Sequence, residues 1–188
     1  WSIADNIGAV QGQTLSIFGF GSIGKELAKR ALAFDMKVMT MTRQSSVFVD
    51  GVETTDSLEA LFAKADHLVL AAPATIETDN IVNTKTLSYL KQDAHLINIA
   101  RGSLVDENDL KLALDSGKLA RASLDAVQTE PLPADHWIYG HEKVFLSPHL
   151  AWCDMRVIDA ISTSFLDNLV LFAKQEPLNN VVDKKAGY

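Results

Sequence analysis

The chain has 188 residues, of which 47% are hydrophobic and 22% charged, ordinary values for a globular domain with a sizeable core. Its net charge of −7 repels phosphate backbones and anionic lipid, so we expect neither nucleic acid nor a membrane surface as a partner. No stretch approaches the roughly 18 apolar residues of a membrane span, and the single cysteine, Cys153, excludes an internal disulfide. That cysteine count favours a cytoplasmic protein, and we expect Cys153 to be a buried thiol.

Strand-like and helix-like segments alternate along the chain. Short apolar runs bounded by turn residues predict strands, and apolar residues at helical spacing predict helices. Asp56 is the predicted N-cap of the second helix because Glu59 follows three positions later, and Gly117 is the predicted left-handed cap that ends the fourth. In chain order, the predicted elements are strand 14–18, helix 22–34, strand 37–41, a helix from Asp56 through Phe62, strand 67–71, helix 84–90, strand 96–99, helix 106–114, strands 122–124 and 144–146, and helix 154–172.

Six strands interleaved with helices imply an α/β fold built on a doubly wound, mostly parallel sheet. Ligands of such open sheets bind beyond the carboxyl ends of the strands. Residues that directly follow a predicted strand are therefore the candidates for a functional site. The sequence shows no internal repeat, and only Gln128 to Gly140 is rich in loop residues.

The segment Gly19-Phe20-Gly21-Ser22-Ile23-Gly24 follows the first predicted strand and opens the first predicted helix. In a dinucleotide-binding turn, the first glycine permits the tight turn and the second lets the backbone approach a pyrophosphate. The third allows close helix–strand packing, and the helix N-terminus presents amide groups to the anion. A Rossmann-type cofactor site is therefore predicted here, with a merely tight turn as the alternative.

The second predicted strand ends in Thr42 and Arg43, where NAD-binding proteins of this kind carry an acidic residue for the ribose diol. A guanidinium and a hydroxyl would instead suit a 2′-phosphate, because charge-assisted hydrogen bonds to phosphate are strong. The sequence thus predicts NADP(H) as the preferred cofactor. In the alternative, Arg43 stacks on the adenine and NAD(H) also binds.

The apolar run Leu96 to Ile99 ends abruptly in Ala100, Arg101 and Gly102. Arg101 would place a permanent positive charge beyond the carboxyl end of a buried strand, and its planar fork can grip a carboxylate with two hydrogen bonds. A surface arginine that closes a strand is the alternative.

Four segments together resemble the D-isomer-specific 2-hydroxyacid dehydrogenase family, in the family's order and over nearly the whole chain. They are the glycine turn, Asn98 to Glu107, Leu124-Asp125-Ala126 with Glu130-Pro131-Leu132, and Ser147 to Trp152. The ending, 177–182, is also similar to that family's C-terminal end. Trp152 after His149 resembles members that act on hydroxypyruvate or glyoxylate.

The resemblance implies a site and a domain organisation. Arg101 would bind the substrate carboxylate, His149 would be the acid/base, and Glu130 would hydrogen-bond His149. The whole chain, 1–188, would be the cofactor domain, with 1–13 as the lead-in from a missing substrate domain and 173–188 as a C-terminal tail. The cofactor would contact Gly19, Gly21, Ser22, Ile23, Gly24, Thr42, Arg43, Ala72, Pro73, Thr78, Ala100 and Asp125.

These residue types suit the reduction of a 2-oxo acid to a D-2-hydroxy acid, which needs a hydride at carbon and a proton at oxygen. Histidine titrates nearest neutrality and can supply the proton, and a carboxylate partner favours its protonated form. The resemblance also implies a homodimer, and the spacing of the other histidines predicts no metal site. A non-catalytic NAD(P)-sensing or dimerising module, and a formate- or phosphonate-oxidising relative, are the alternatives.

Overall fold

The computed structural model describes residues 8–42, 49–154 and 156–184. The chain forms two compact units, Trp1–Pro148 and His149–Tyr188. Among the described residues, the first unit contains the sheet and four α-helices, and the second contains one long helix. Across the described residues, no helix combines the length and apolar character that a membrane span requires.

The described part of the first unit is organised around one seven-stranded sheet in the order β3-β2-β1-β4-β5-β6-β7. Every neighbouring pair of strands is parallel, and the direction of winding reverses between β1 and β4. This architecture confirms the predicted doubly wound Rossmann-type fold. The strands are β1 (Thr14–Phe18), β2 (Lys37–Met41), β3 (Val52–Thr54), β4 (His67–Leu70), β5 (His95–Asn98), β6 (Arg121–Leu124) and β7 (Val144–Leu146).

Helices lie on both faces of the sheet, in two separate hydrophobic clusters. Successive strand residues point to opposite faces, so Leu68 and Leu70 belong to one cluster and Val69 to the other. One cluster receives α1, and the larger one receives α2, α3 and α4. The helices are α1 (Ser22–Ala33), α2 (Leu58–Lys64), α3 (Thr84–Tyr89), α4 (Glu107–Asp115) and α5 (Val157–Ala173), with 3-10 turns at Gly102–Leu104 and Trp137–Gly140.

Two details differ from the sequence predictions. The strand β3 was missed because it is three residues long, lies at the sheet edge, and exposes two of its three residues, so it carries no apolar run. The N-cap of α2 is Ser57 and not Asp56, because the hydroxyl of Ser57 accepts the N–H of Ala60 at 3.1 Å. The predicted left-handed glycine after α4 is confirmed, since Gly117 has a φ of +75°.

The second unit consists mainly of α5, which begins at Val157 rather than at the predicted Asp154. None of the residues of this helix is buried, although Ile158, Phe165 and Phe172 are all large and apolar. Cys153 is exposed, so the expectation of a buried thiol is wrong. It lies in the run of exposed residues that precedes α5.

Candidate active site

The glycine turn leads from β1 into α1. Gly19 has a φ of +98°, and a Cβ there would lie 2.6 Å from the backbone N of Ala72, so both the conformation and the space require glycine. A Cβ on Gly24 would lie 2.6 Å from the carbonyl oxygen of Gly19, whereas a Cβ on Gly21 would meet no described atom within 4 Å. The turn is therefore packed at its two ends and open at Gly21, where a phosphate could approach the backbone.

The start of α1 has the features of an anion-binding helix end. Gly21 is the N-cap, and among the described residues no side chain caps the helix. The first turn contains no acidic residue, and Ser22 and Ile23 are exposed. Amide groups and the positive end of the helix dipole favour phosphate at such a position. The residues present thus fit the pyrophosphate of a dinucleotide.

The end of β2 lies next to this turn, because the N–H of Gly19 donates to the carbonyl of Met41 at 3.1 Å. Thr42 follows β2 directly and is half-buried. Arg43 falls outside the residues that the structure describes. The preference for NADP(H), which depends on Arg43, therefore stays a prediction.

The loop after β4 is closed by one of its own side chains. The hydroxyl of Thr78 donates to the carbonyl of Pro73 at 2.8 Å and accepts the N–H of Thr75 at 2.8 Å. Ala72 is buried at the point where the loop meets Gly19. The loop that contains the predicted cofactor residues Ala72, Pro73 and Thr78 thus meets the glycine turn at Ala72. The hydroxyl of Thr78 stabilises the loop through its hydrogen bonds to the loop backbone.

Asn98, the last residue of β5, holds the turn that carries Arg101. Its amide Nδ2 donates to the carbonyl of Arg101 at 2.9 Å and to that of Ala126 at 3.3 Å, and its Oδ1 accepts the N–H of Ala100 at 3.0 Å. Asn98 is fully buried, so these bonds are made without competition from water. Arg101 is exposed, and its Nη1 donates to the carbonyl of Ala100 at 2.7 Å. The backbone that carries the guanidinium is therefore held by hydrogen bonds, and the guanidinium has further N–H donors that could bind an anion.

Asp125 follows β6 at the same edge of the sheet. Its N–H donates to the carbonyl of Asn98 at 2.9 Å, and its carboxylate accepts the hydroxyl of Ser147. The side chain is buried, which is unusual for a carboxylate and calls for such a partner. Asp125 is thus held by the ends of both β5 and β7.

Glu130 stands in the loop that follows β6. The loop turns back on itself, because the carboxylate of Glu130 accepts the N–H of Val127 at 3.1 Å. Glu130 is exposed, and its peptide bond to Pro131 is cis. The position of this carboxylate, the predicted partner of the acid/base, therefore depends on the shape of the loop.

His149 begins the second unit, with a φ of +54° and a half-buried side chain. This left-handed conformation is uncommon for a residue other than glycine and is seen most often at turns and functional sites. Because Arg101 and Glu130 belong to the first unit, the predicted convergence of all three residues stays a prediction.

Two buried polar residues that lie beside this edge were not assigned a role from the sequence. Asn98 interrupts the apolar run of β5, and that interruption is a usable signal, because a polar residue in a buried strand must find partners. Glu107 opens α4 and reads in the sequence as an ordinary first-turn acid, yet only 7% of it is exposed. Within the described part of the chain, no group of three or more His, Cys, Asp or Glu side chains could hold a metal ion.

Comparison with known proteins agrees with this geometry. The family model for the D-isomer specific 2-hydroxyacid dehydrogenase NAD binding domain matches residues 1–151. A glyoxylate reductase of Thermococcus litoralis is 36% identical over 178 residues, which cover 93% of this chain and 53% of that protein. A hydroxypyruvate reductase of Blautia hydrogenotrophica is 32% identical over 176 residues, which cover 93% of this chain and 54% of that protein.

The solved structures lead to the same group of proteins. The NADPH-dependent glyoxylate/hydroxypyruvate reductase of Sinorhizobium meliloti, in complex with NADP and sulfate, matches with a TM-score of 0.90 and 31% identity. The match covers 100% of this chain and 63% of that one. The chain spans about half the length of the two curated relatives named above. From its sequence and its fold together, the chain belongs to the D-isomer-specific 2-hydroxyacid dehydrogenase family, whose NAD-binding domain it contains.

Proposed function

We propose that this chain is the cofactor-binding part of an NAD(P)-dependent oxidoreductase that reduces a 2-oxo acid to a D-2-hydroxy acid. One observation carries the proposal: Arg101 leaves β5 at the same carboxyl edge of the sheet as the open glycine turn after β1. A dinucleotide on the turn and a small carboxylate on Arg101 would then share one side of the sheet. The glyoxylate and hydroxypyruvate reductases among the relatives support a short 2-oxo acid as the substrate.

The residues of the proposed site have distinct roles in this reaction. When bound, the reduced nicotinamide supplies the hydride. Arg101 binds and orients the substrate carboxylate, and His149 gives a proton to the carbonyl oxygen and recovers it afterwards. Glu130 favours the protonated imidazole and orients its ring. Asp125 lies on the nicotinamide side of the site, where its bond to Ser147 keeps the carboxylate in place.

The preferred cofactor is NADP(H). A charge-assisted hydrogen bond from Arg43 to a 2′-phosphate, worth about 1.5–3 kcal/mol, would favour NADPH over NADH by roughly tenfold to 150-fold. The Sinorhizobium meliloti relative, solved with NADP, supports this assignment. The homodimer implied by the family is part of the same proposal.

The test is turnover by the full-length protein with glyoxylate, hydroxypyruvate and pyruvate, followed as the loss of reduced nicotinamide with NADPH and NADH in parallel. His149→Gln should lower kcat by about 10²–10⁴-fold, because general acid catalysis contributes that much. His141→Gln is the matched control, since this histidine lies before β7, at the amino edge of the sheet, and pairs with Asp115 at 3.2 Å.

Near-normal turnover in His149→Gln would refute the assigned mechanism. Absence of turnover by the wild type across the panel would favour a sensing module instead. Tighter binding of NADH than of NADPH would end the assignment of NADP(H).

A further inference from the structure

Glu107 is a buried carboxylate outside the set of residues that the reaction uses. It is the first residue of α4, and 7% of it is exposed. Its Oε1 accepts the backbone N–H of Gln128 at 2.7 Å, and its Oε2 lies 3.5 Å from Nε2 of His136. A buried charge is costly unless such partners compensate for it, so the site is built to keep this carboxylate.

The two partners of Glu107 lie on either side of Glu130 in the sequence. Gln128 precedes Glu130 by two positions and His136 follows it by six. Glu107 therefore tethers both ends of the segment that presents the Glu130 carboxylate. The hydrogen bond to Gln128 is short and charge-assisted, a class about twice as strong as a neutral one.

Further contacts hold the first of these two ends. The side chain of Gln128 donates from Nε2 to the carbonyl of Val105 at 2.8 Å. A Cβ on Gly102 would lie 1.9 Å from the carbonyl carbon of Val127, so the turn that carries Arg101 packs directly on this loop. At the far end, Nε2 of His136 lies 3.5 Å from Oε2 of Glu107.

We propose that Glu107 is a positioning residue: its buried carboxylate holds the segment from Gln128 to His136 and so places the carboxylate of Glu130 for the acid/base step. The inference rests on the proposed function, in which Glu130 supports His149. Glu107 itself touches neither substrate nor cofactor in this scheme. Its effect on the reaction passes entirely through the loop.

The experiment compares Glu107→Ala, Glu107→Gln and Glu130→Gln in the full-length protein. A displacement of a catalytic group by about 1 Å can cost up to 100-fold, so Glu107→Ala should lower kcat by about 10- to 100-fold. The Kd for NADPH should change by less than about twofold, because the glycine turn does not depend on this loop. The pH at which kcat/KM is half-maximal should move in the same direction as in Glu130→Gln.

The conservative variant and a matched control separate positioning from general damage. Glu107→Gln keeps an oxygen that can accept the N–H of Gln128, so it should recover much of the lost kcat. Glu59→Gln removes an exposed first-turn acid of α2 and should behave as the wild type. If Glu107→Ala does not fold, His136→Ala, which removes the imidazole that Oε2 of Glu107 contacts at 3.5 Å, should show a shift of the pH profile in the same direction.

The outcomes distinguish this inference from the function on which it rests. If the wild type reduces 2-oxo acids and Glu130→Gln shifts the pH profile while Glu107→Ala (or His136→Ala, where Glu107→Ala does not fold) does not, the positioning role is wrong and the function stands. Parallel losses of kcat and of NADPH affinity in Glu107→Ala would also contradict it. A wild type without turnover would contradict both. An unaltered Glu130→Gln would contradict the positioning role and the part assigned to Glu130, while the reductase function would stand.

Discussion

At the scale of single residues, two glycines of the carboxyl edge have opposite surroundings. A Cβ on Gly102 would lie 1.9 Å from the carbonyl carbon of Val127 and 2.4 Å from the N of Gln128, both backbone atoms. A Cβ on Gly21 would meet no atom of the described residues within 4 Å. Gly102 is therefore required by packing, whereas Gly21 leaves open the space that the dinucleotide would use.

The same substitution, to alanine, should therefore affect stability at Gly102 and cofactor binding at Gly21. Gly102→Ala should lower the free energy of unfolding by about 1–3 kcal/mol, the cost of overpacking against atoms that cannot rotate away. Gly21→Ala should leave the free energy of unfolding within about 0.5 kcal/mol of the wild type but weaken NADPH binding by about tenfold. Urea unfolding and cofactor titration measure the two quantities. A Gly21→Ala protein with unchanged NADPH affinity would contradict the open turn as the cofactor site.

At the scale of elements, α2 shows how a short helix is stabilised. Leu61 and Phe62 are fully buried in the larger cluster, and the hydroxyl of Ser57 caps the N-terminus of the helix. Helices this short are marginal by themselves in water, so the cap and the buried face both matter. Asp56 satisfies the sequence pattern of a cap equally well, but the chain reaches helical geometry one residue later.

Alanine substitutions distinguish Ser57 from Asp56 as the N-cap of α2. Ser57→Ala should cost about 1 kcal/mol of stability, the usual effect of losing an N-cap oxygen. Asp56→Ala should cost less than about 0.5 kcal/mol, because a surface position contributes little. The measurement is the denaturant midpoint of each variant compared with that of the wild type. An equal or larger loss of stability in Asp56→Ala would show that Asp56 is the N-cap.

At the scale of the whole molecule, the amino edge of the sheet holds a pair of histidines far from the glycine turn. The rings of His67 and His95 lie 5.6 Å apart, and the Nε2 atoms contact Gln13 at 2.7 Å and Ser123 at 2.9 Å respectively. Burial, with His67 and Arg121 nearby, lowers the pKa of His95 to about 4. Burial also lowers the pKa of His67, although Asp66 opposes that shift and Arg121 adds to it.

The lowered pKa values of His67 and His95 predict that the protein loses stability as the pH falls. The unfolded chain binds protons at both histidines near pH 6.5, before the folded chain does, so the free energy of unfolding falls as the pH drops. The stability should be complete above about pH 6.5 and decline toward pH 4, the folded pKa of His95. Urea midpoints across this range should fall less steeply in His95→Gln than in the wild type.

His141→Gln is the control for this series, because its imidazole pairs with Asp115 outside the histidine pair. It should leave the steep acid decline in place. Carboxylates that titrate near pH 4 are common to His95→Gln and the wild type and cancel in that comparison. Identical pH dependence in His95→Gln and the wild type would show that the pair does not control the acid response.

Much of the fold, and the location of the glycine turn, follows from local patterns along the chain. Strand runs such as Thr14 to Phe18, and the glycine pattern from Gly19 to Gly24, are local signals: each depends on the periodicity or backbone freedom of a few neighbouring residues. Parallel winding then follows from the alternation of strands and helices, and it places Arg101 and Asp125 at the carboxyl edge before any coordinates are known.

Other features depend on residues that are distant in the sequence, and these follow from the three-dimensional contacts of the folded chain. The sequence of β3 carries no periodic signal, and it forms a strand because β2 offers an open edge. The choice of Ser57 over Asp56 depends on which residue enters α2 with extended geometry. Glu107 looks like any first-turn acid until the fold brings Gln128 against it, 21 positions along the chain. Burial and pairing of such a group are properties of three-dimensional contacts, and no local pattern encodes them.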